Sequence, residues 1–531
     1  LIQDKLPAWL EQLLAQDELA PAMYDAAAPA EHRRRWGQYW TPSPVARFMA
    51  GWVLRAAPRR ILDPAAGTGA LLDALLEHPA LRADAELSAS DADPAVAAVL
   101  RRRMAMHRSV EVGVCDFLAG YGGEWDAVVC NPPYLRHRQL HKRRQEIPIY
   151  ARRYGVPLSM FTNSYALFML AIAERLSPRG RAAILAPIDW LNANFGVPIK
   201  QYLLRCNLVD ALVLFDHARL VFADANIAAG LVLLRAGRAA GETVAVAHVA
   251  DEYALSPAGE LPASQIARYS PAELRAENKW LALAPSHMPR SGVRRSVPLS
   301  SLADVRRGIA TGANEFFCLS EAARLRHGLE LDELRPCLVK ASDAPGRRFA
   351  AHDLERLQRS GRPVWLLDIG DAPSPAAVRY LELGRQRGAH QRYLTVRRHP
   401  WYAPERRPLA PLLVTTFSRG GFRCVVNDAG VAHLTAFHGV YPRELDRARV
   451  LALASFLGTQ AGRAALVGQR RLYGSGLGKL EPLDLAALPV PDVRALHDRL
   501  CERIAALFRA LCDGAEDVAV EIERLWAEVT G

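Results

Sequence analysis

The chain has 531 residues, too many for one ordinary hydrophobic core, so at least two domains are expected. Half of the residues are hydrophobic and 23% are charged, as in a globular protein, and no uninterrupted apolar run approaches the length of a membrane span. Lys and Arg number 67 against 56 Asp and Glu, a formal net charge of +11, which favours a polyanionic partner such as nucleic acid.

The opening "LIQDKLPAWLEQLLAQDELA" carries acidic residues early and reads as an amphipathic helix, not a signal peptide. Residues 1–36 form a helical segment that ends in the basic run Arg33–Arg35 and Trp36. The eight cysteines show no Cys-x-x-Cys pair and no zinc-type spacing. No metal site is expected, and the cysteines read as reduced thiols of a cytosolic protein.

From residue 37 to 240 strands and helices alternate. "RRILDPA", "ELSASDAD", "SVEVGVCDF", "WDAVVCNPP", "GRAAILAPI", "LVDALVLF" and "NIAAGLVLLR" read as strands, and "NSYALFMLAIAERL" reads as a helix. Such alternation predicts an α/β domain with a mostly parallel sheet and helices on both faces. Residues 241–294 are rich in small residues with weak patterning and read as a linker. Residues 295–490 change in texture, with short strand-like runs, many arginines and turn signals, which predicts a mixed α+β domain. In 491–531, apolar Leu496, Leu500, Ile504, Leu507 and Leu511 recur at helical spacing, so the chain is expected to end in helices.

"ILDPAAGTGALLDALL" reads as a strand, a glycine turn and a helix, in which Gly67 and Gly69 let the backbone turn tightly against a ligand. A lone Gly-x-Gly is weak, because many turns between strand and helix need glycine. Asp91 ends the next strand, where an acid can accept hydrogen bonds from both ribose hydroxyls. Asp116 ends the one after, beside Phe117, whose ring can cover an adenine face. Asp63 ends the first strand and suits an ammonium group. Each acid alone reads as a cap or a solvated turn residue. In order along one sheet edge they describe a site for an adenosine with a zwitterionic tail.

The fourth strand runs into Asn131-Pro132-Pro133-Tyr134. The Asn131 amide oxygen and the Pro132 carbonyl are two acceptors that a rigid corner can aim at one NH₂ group. Acceptors fixed in advance stabilise the positive charge that builds as such a nitrogen attacks an electrophilic methyl group. Tyr134 offers a flat face for the ring that carries the amine.

"GQYWTP", "LDPAAGTG", "SDADP", "CDF" and "NPPY", in this order, resemble the S-adenosylmethionine-dependent adenine-N6 DNA methyltransferases of the gamma class, the TaqI-like group. The resemblance implies a Rossmann-like methyltransferase domain over 37–240 and a DNA target-recognition domain over 295–490. It implies that Thr41, Asp63, Ala65, Gly67 and Gly69 hold the methionine part of the cofactor, Asp91 the ribose, and Asp116 with Phe117 the adenine, with Asn131 bordering the same pocket. Asn131, Pro132, Pro133 and Tyr134 would form the catalytic corner. Phe222, in the loop before a late strand, would supply a second ring against a flipped adenine. The corner also serves enzymes that methylate cytosine N4, a protein glutamine or an RNA guanine, and those alternatives stay open at this point.

An enzyme acting on a base inside a duplex must turn it out of the stack and hold the DNA in a basic cradle. Arg136, Arg138, Lys142, Arg143 and Arg144 follow the corner directly. In the second domain Arg397, Arg398 and Arg419 sit among aromatic residues. Double-stranded DNA is the expected partner, with any restriction endonuclease a separate chain. The expected enzyme is monomeric, bacterial, cytoplasmic and nucleoid-associated, with no membrane partner.

Overall fold

A computed structural model describes residues 7–16, 19–120, 122–135, 145–215, 228–261, 265–283, 296–370, 372–473 and 477–530. The chain divides into two compact units, one formed by residues 1–287 together with 471–476, the other by 288–470 and 477–531.

The first unit is built on a nine-stranded sheet. Its strands are β1 (Arg60–Asp63), β2 (Glu86–Asp91), β3 (Val110–Val114), β4 (Trp125–Cys130), β5 (Leu176–Pro187), β6 (Val209–Phe215), β7 (Ala229–Arg235), β8 (Val244–Val249) and β9 (Ile266–Tyr269). The spatial order is β3-β2-β1-β4-β5-β7-β6-β8-β9. Pairing is parallel from β3 through β2, β1 and β4 to β5. It is antiparallel where β7 inserts between β5 and β6. The expected mostly parallel α/β sheet is therefore present. The order reverses between β1 and β4, and in open α/β sheets ligands bind at the strand ends beside such a reversal.

The helices follow from apolar patterning. In Ser164–Glu174 every residue except Glu174 is buried, which suits a helix lying wholly inside the core. Pro94–Met104 begins at Asp93, whose Oδ1 accepts the Ala95 amide at 3.0 Å and caps the helix. Residues of the N-terminal segment, among them Leu10, Leu13 and Tyr24, pack on Ala95, Val96 and Val99 of that helix.

Residues 241–294 are not a plain linker. β8 pairs parallel to β6 and β9 pairs antiparallel to β8, so this stretch completes the catalytic sheet. Its alanines and valines concealed a strand: in "VAVAHV" five of the six residues are buried, so no alternation of apolar and polar positions marks it.

The second unit holds a five-stranded sheet ordered Ala303–Arg307, Phe437–Pro442, Leu412–Thr415, Cys424–Asn427 and Arg348–Phe349. A four-stranded sheet joins Cys318–Leu319, Trp365–Leu367, Leu334–Leu338 and Ala432–His433. The terminal helices Asp498–Cys512 and Ala519–Thr530 bury Ile504, Phe508 and Trp526 in the core of this unit. Among the described residues no single helix is long and apolar enough to cross a membrane.

Candidate active site

A cleft of about 930 Å³, partly open to solvent, lies at the ends of β1, β2, β3 and β4. The sequence-predicted residues Thr41, Ala65, Gly67, Asp91, Asp116, Phe117, Asn131 and Pro133 all border it.

The glycine turn after β1 is locked to the acid that ends β2. Gly67 (φ 55°) and Gly69 (φ 99°) are in the left-handed region that glycine adopts at little cost. The Gly67 amide donates to Asp91 Oδ2 at 3.0 Å, and the Asp93 amide donates to Asp91 Oδ1 at 2.9 Å. Asp91 thus shapes the turn as well as bordering the cleft. Burial pushes its carboxyl up to about 6, against the pull of these amides.

Asp63 stands behind the turn and is not among the residues bordering the cleft. It is wholly buried; Oδ1 accepts the Ala65 amide at 3.3 Å and Oδ2 has no partner among the described residues. Burial raises its carboxyl to about 8. Asp116 accepts the Leu118 amide at 3.1 Å and caps a short 3₁₀ turn that carries Phe117. The Phe117 ring lies 5.2 Å from Phe168, and the Arg175 guanidinium sits 5.0 Å above it.

The segment before the first strand folds back over the cleft. Trp36, Gly37, Gln38, Tyr39, Trp40 and Thr41 all border it, although only Thr41 was expected there. The Tyr134 amide donates to the Gly37 carbonyl at 3.2 Å. Gly37 is in the left-handed region (φ 66°), and a β-carbon there would crowd the Leu135 side chain at 2.9 Å and the Tyr134 amide nitrogen at 3.1 Å, which favours glycine at this approach. Asp93 tethers the same segment. Its Oδ2 accepts from Gln38 at 2.8 Å and Tyr24 at 3.4 Å, and lies 2.7 Å from His32 Nε2.

Asn131 Nδ2 donates to the Tyr39 carbonyl at 2.8 Å and to Thr41 Oγ1 at 3.1 Å. Among the described residues its Oδ1 is buried without a partner. A buried acceptor left unpaired costs about 1–3 kcal/mol, which a ligand amine would offset. Pro132 is buried and Pro133 is half-buried. The corner is braced from the next helix: Ser164 Oγ donates to the Pro133 carbonyl and accepts the Leu135 amide at 3.1 Å.

Tyr134 departs from expectation. Only 7% of it is exposed, its hydroxyl donates to the Leu185 carbonyl at 3.2 Å, and burial raises its phenol well above the usual range. Its face is covered by Tyr39, with ring centroids 5.1 Å apart and planes 29° from parallel. A base can take that place only when the Tyr39 ring leaves it.

Phe222, Arg136, Arg138, Lys142, Arg143 and Arg144 lie outside the described residues. In the second unit Arg397 is exposed and lies 3.7 Å over the Tyr393 ring, and Arg419 is exposed. Arg398 differs: it is half-buried, and its guanidinium donates inward to the Ala310 and Thr311 carbonyls. Sequence spacing could not separate it from its neighbour Arg397. Trp36, Trp40, Ser164 and Phe168 were also missed: Ser164 and Phe168 sit in a buried helix whose residues carry no pattern of their own, and no spacing shows that the segment holding Trp36 and Trp40 borders the cleft.

Residues 24–267 match the family described as N-6 DNA Methylase, and residues 291–524 match the C-terminal domain of the type II methyltransferase M.Eco57I. The chain is an adenine-specific DNA methyltransferase. It is 28% identical over 502 residues to the type II methyltransferase M.AccI of Acinetobacter calcoaceticus, covering 92% of this chain and 91% of that one. It is 27% identical over 494 residues to M.XamI of Xanthomonas campestris pv. amaranthicola, covering 88% of each. Its fold resembles that of the type IIL restriction-modification enzyme MmeI (TM-score 0.61, 11% identity, 96% of this chain and 78% of that one). Methylation of cytosine N4, of protein glutamine or of RNA guanine is not favoured by these matches. The family implies the use of S-adenosylmethionine.

Proposed function

We propose that this methyltransferase is of the gamma class, that one chain both selects a sequence in double-stranded DNA and methylates adenine N6 within it, and that the target base is turned out of the duplex. The observation that carries this reading is Asn131: its amide is anchored through nitrogen, and its buried oxygen has no partner among the described residues.

When bound, S-adenosylmethionine would supply a methyl group made electrophilic by its sulfonium centre, the methyl carbon–sulfur bond breaking with its electron pair left on sulfur as the neutral thioether of S-adenosylhomocysteine. The residues of the cleft fit such a molecule. The glycine turn offers bare backbone, Asp91 offers carboxylate oxygens for ribose hydroxyls, and Phe117 with Phe168 offers an apolar wall for a purine. Thr41 and Ala65 border the end of the cleft assigned to the methionine part. Asn131 Oδ1 and the Pro132 carbonyl accept the two hydrogens of the adenine amine. As that nitrogen attacks, its lone pair leaves the ring and positive charge accumulates on the NH₂ group. Two fixed acceptors stabilise the charge with little reorganisation, and the surplus proton then passes to water. The ring partners of the flipped adenine are Tyr134, once Tyr39 has moved aside, and Phe222.

Sequence selection is assigned to the second unit, with Arg397 and Arg419 on phosphates or base edges and Arg136, Arg138, Lys142, Arg143 and Arg144 on the backbone near the target. Sequencing host DNA with and without the gene, by a method that distinguishes modified bases, tests the reading. N6-methyladenine at one recurrent sequence is expected. Modification of cytosine N4, or no gene-dependent modification, would contradict it.

A further inference from the structure

We propose that Thr41 is a positioning residue for the catalytic amide: its hydroxyl, with the Tyr39 carbonyl, fixes which way round the Asn131 side chain sits. The inference rests on the role of Asn131 proposed above.

An asparagine amide has a donor end and an acceptor end of nearly equal shape. Only one orientation serves the reaction, because the adenine amine needs an acceptor. Rotation by 180° would present an NH₂ group to another NH₂ group. Two neighbours bear on the choice. The Tyr39 carbonyl lies 2.8 Å from the amide nitrogen and can only accept, so it repels the oxygen end. Thr41 Oγ1 lies 3.1 Å from the same nitrogen and takes its second hydrogen; the carbonyl selects the orientation, and the hydroxyl, which could pair with either end, holds the amide in it. With both hydrogens engaged, Oδ1 is left buried and unpaired. The pairing therefore stores an unsatisfied acceptor where the substrate amine is to arrive.

A hydroxyl has one donor and two acceptor sites. Thr41 uses an acceptor site on Asn131, which leaves its own proton for the cleft it borders. The turn holding both anchors is itself docked beside the corner, through the Tyr134 amide on the Gly37 carbonyl. Residues nearly a hundred positions before Asn131 thus set the chemistry of its side chain.

The test compares Thr41→Val, which keeps the shape and removes the hydroxyl, with Thr41→Ser, which keeps the hydroxyl. Single-turnover methyl transfer to unmodified genomic DNA is measured at saturating S-adenosylmethionine, with the product nucleoside identified by chromatography. Cofactor affinity and thermal melting are recorded alongside. Loss of one neutral hydrogen bond predicts about a tenfold slower transfer step in Thr41→Val. Thr41→Ser should transfer at close to the wild-type rate. Thr41→Ala serves as a second hydroxyl-free variant where Thr41→Val melts early. If a folded hydroxyl-free variant weakens cofactor binding but transfers at the wild-type rate once saturated, Thr41 is a cofactor ligand only and the proposal is wrong. A wild-type enzyme that yields no N6-methyladenine would instead remove the reading on which the proposal rests.

Discussion

The two units carry their polar side chains in opposite ways. In the first, Asp91 and Asn131 are tied to backbone amides and a backbone carbonyl of the cleft, and among the described residues the Asn131 oxygen, on the residue assigned to the reaction, is left unpaired. In the second, neighbouring arginines of one basic run divide: Arg398 is held by two carbonyls, while Arg397 lies exposed against an exposed tyrosine. Catalysis on an amine needs a few groups held before the substrate arrives. Selecting a DNA sequence needs side chains that reach outward, and their run in the sequence does not say which ones do so. Chemistry is therefore the more legible of the two functions.

The largest expected effect tests the catalytic side of that contrast. Asn131→Ala should slow methyl transfer by a factor of about 100 to 1,000, the range for removal of one preorganised transition-state partner. Cofactor affinity should be nearly unchanged, since the amide anchors to Tyr39 and Thr41. Single-turnover kinetics and calorimetry on the same preparation check both halves. A variant that transfers at the wild-type rate would mean that preorganisation at this corner is not what drives the reaction.

How much of this site could be read from the sequence follows from where each residue lies. Asp91, Asp116 and Asn131 end three strands in succession, and strand ends can be located from apolar runs and their polar stops. Their meeting at one edge then follows from the parallel order. Tyr39 and Trp40 lie before the first strand, and nothing in their spacing says that the segment folds back over the cleft. Asp93 reads as a helix cap, which it is, but its second oxygen receives Gln38 and Tyr24 from that distant segment. The division placed at residue 240 failed because β8 has both faces buried. A cut there would strip β6 of a parallel neighbour.

Asp91→Ala sharpens the contrast within the first unit. Its carboxylate holds the glycine turn in shape, so two losses are expected together. Hydrogen bonds to a charged acceptor are worth about 1.5–3 kcal/mol, which predicts cofactor binding weaker by roughly 10- to 100-fold. The melting temperature should fall as well. Weaker binding with unchanged melting would show that the turn holds without the acid.

Asp63 gives a prediction in pH. Its folded-state carboxyl is raised from 3.8 to about 8 by burial. Between those values the folded chain keeps a proton that the unfolded chain has released. Stability from this group is thus greatest in acid and is lost as pH rises through about 8. The wild-type protein should lose this contribution between about pH 4 and 8, so that over this window its melting temperature falls relative to that of Asp63→Asn, which needs no proton. Parallel pH profiles of the two proteins would remove Asp63 as the source.

The smallest effect is the one that tests the second unit. Arg419 lies at the exposed tip after Phe417–Ser418, between that short strand and the glycine pair Gly420–Gly421, which have open space around them. Arg398 has comparable charge but is bonded inward. If exposure decides which arginines meet DNA, Arg419→Ala should weaken binding severalfold and reduce the slope of log K against log salt by about 0.9, the value for one phosphate contact. Arg398→Ala should leave that slope alone and lower the melting temperature instead, since the Ala310 and Thr311 carbonyls lose their donor. Titrations of one DNA fragment at several salt concentrations separate the two. The reverse pattern, a slope change in Arg398→Ala and none in Arg419→Ala, would show that the inward bonds of Arg398 open when DNA binds, and that the second unit is preorganised for itself and not for its partner.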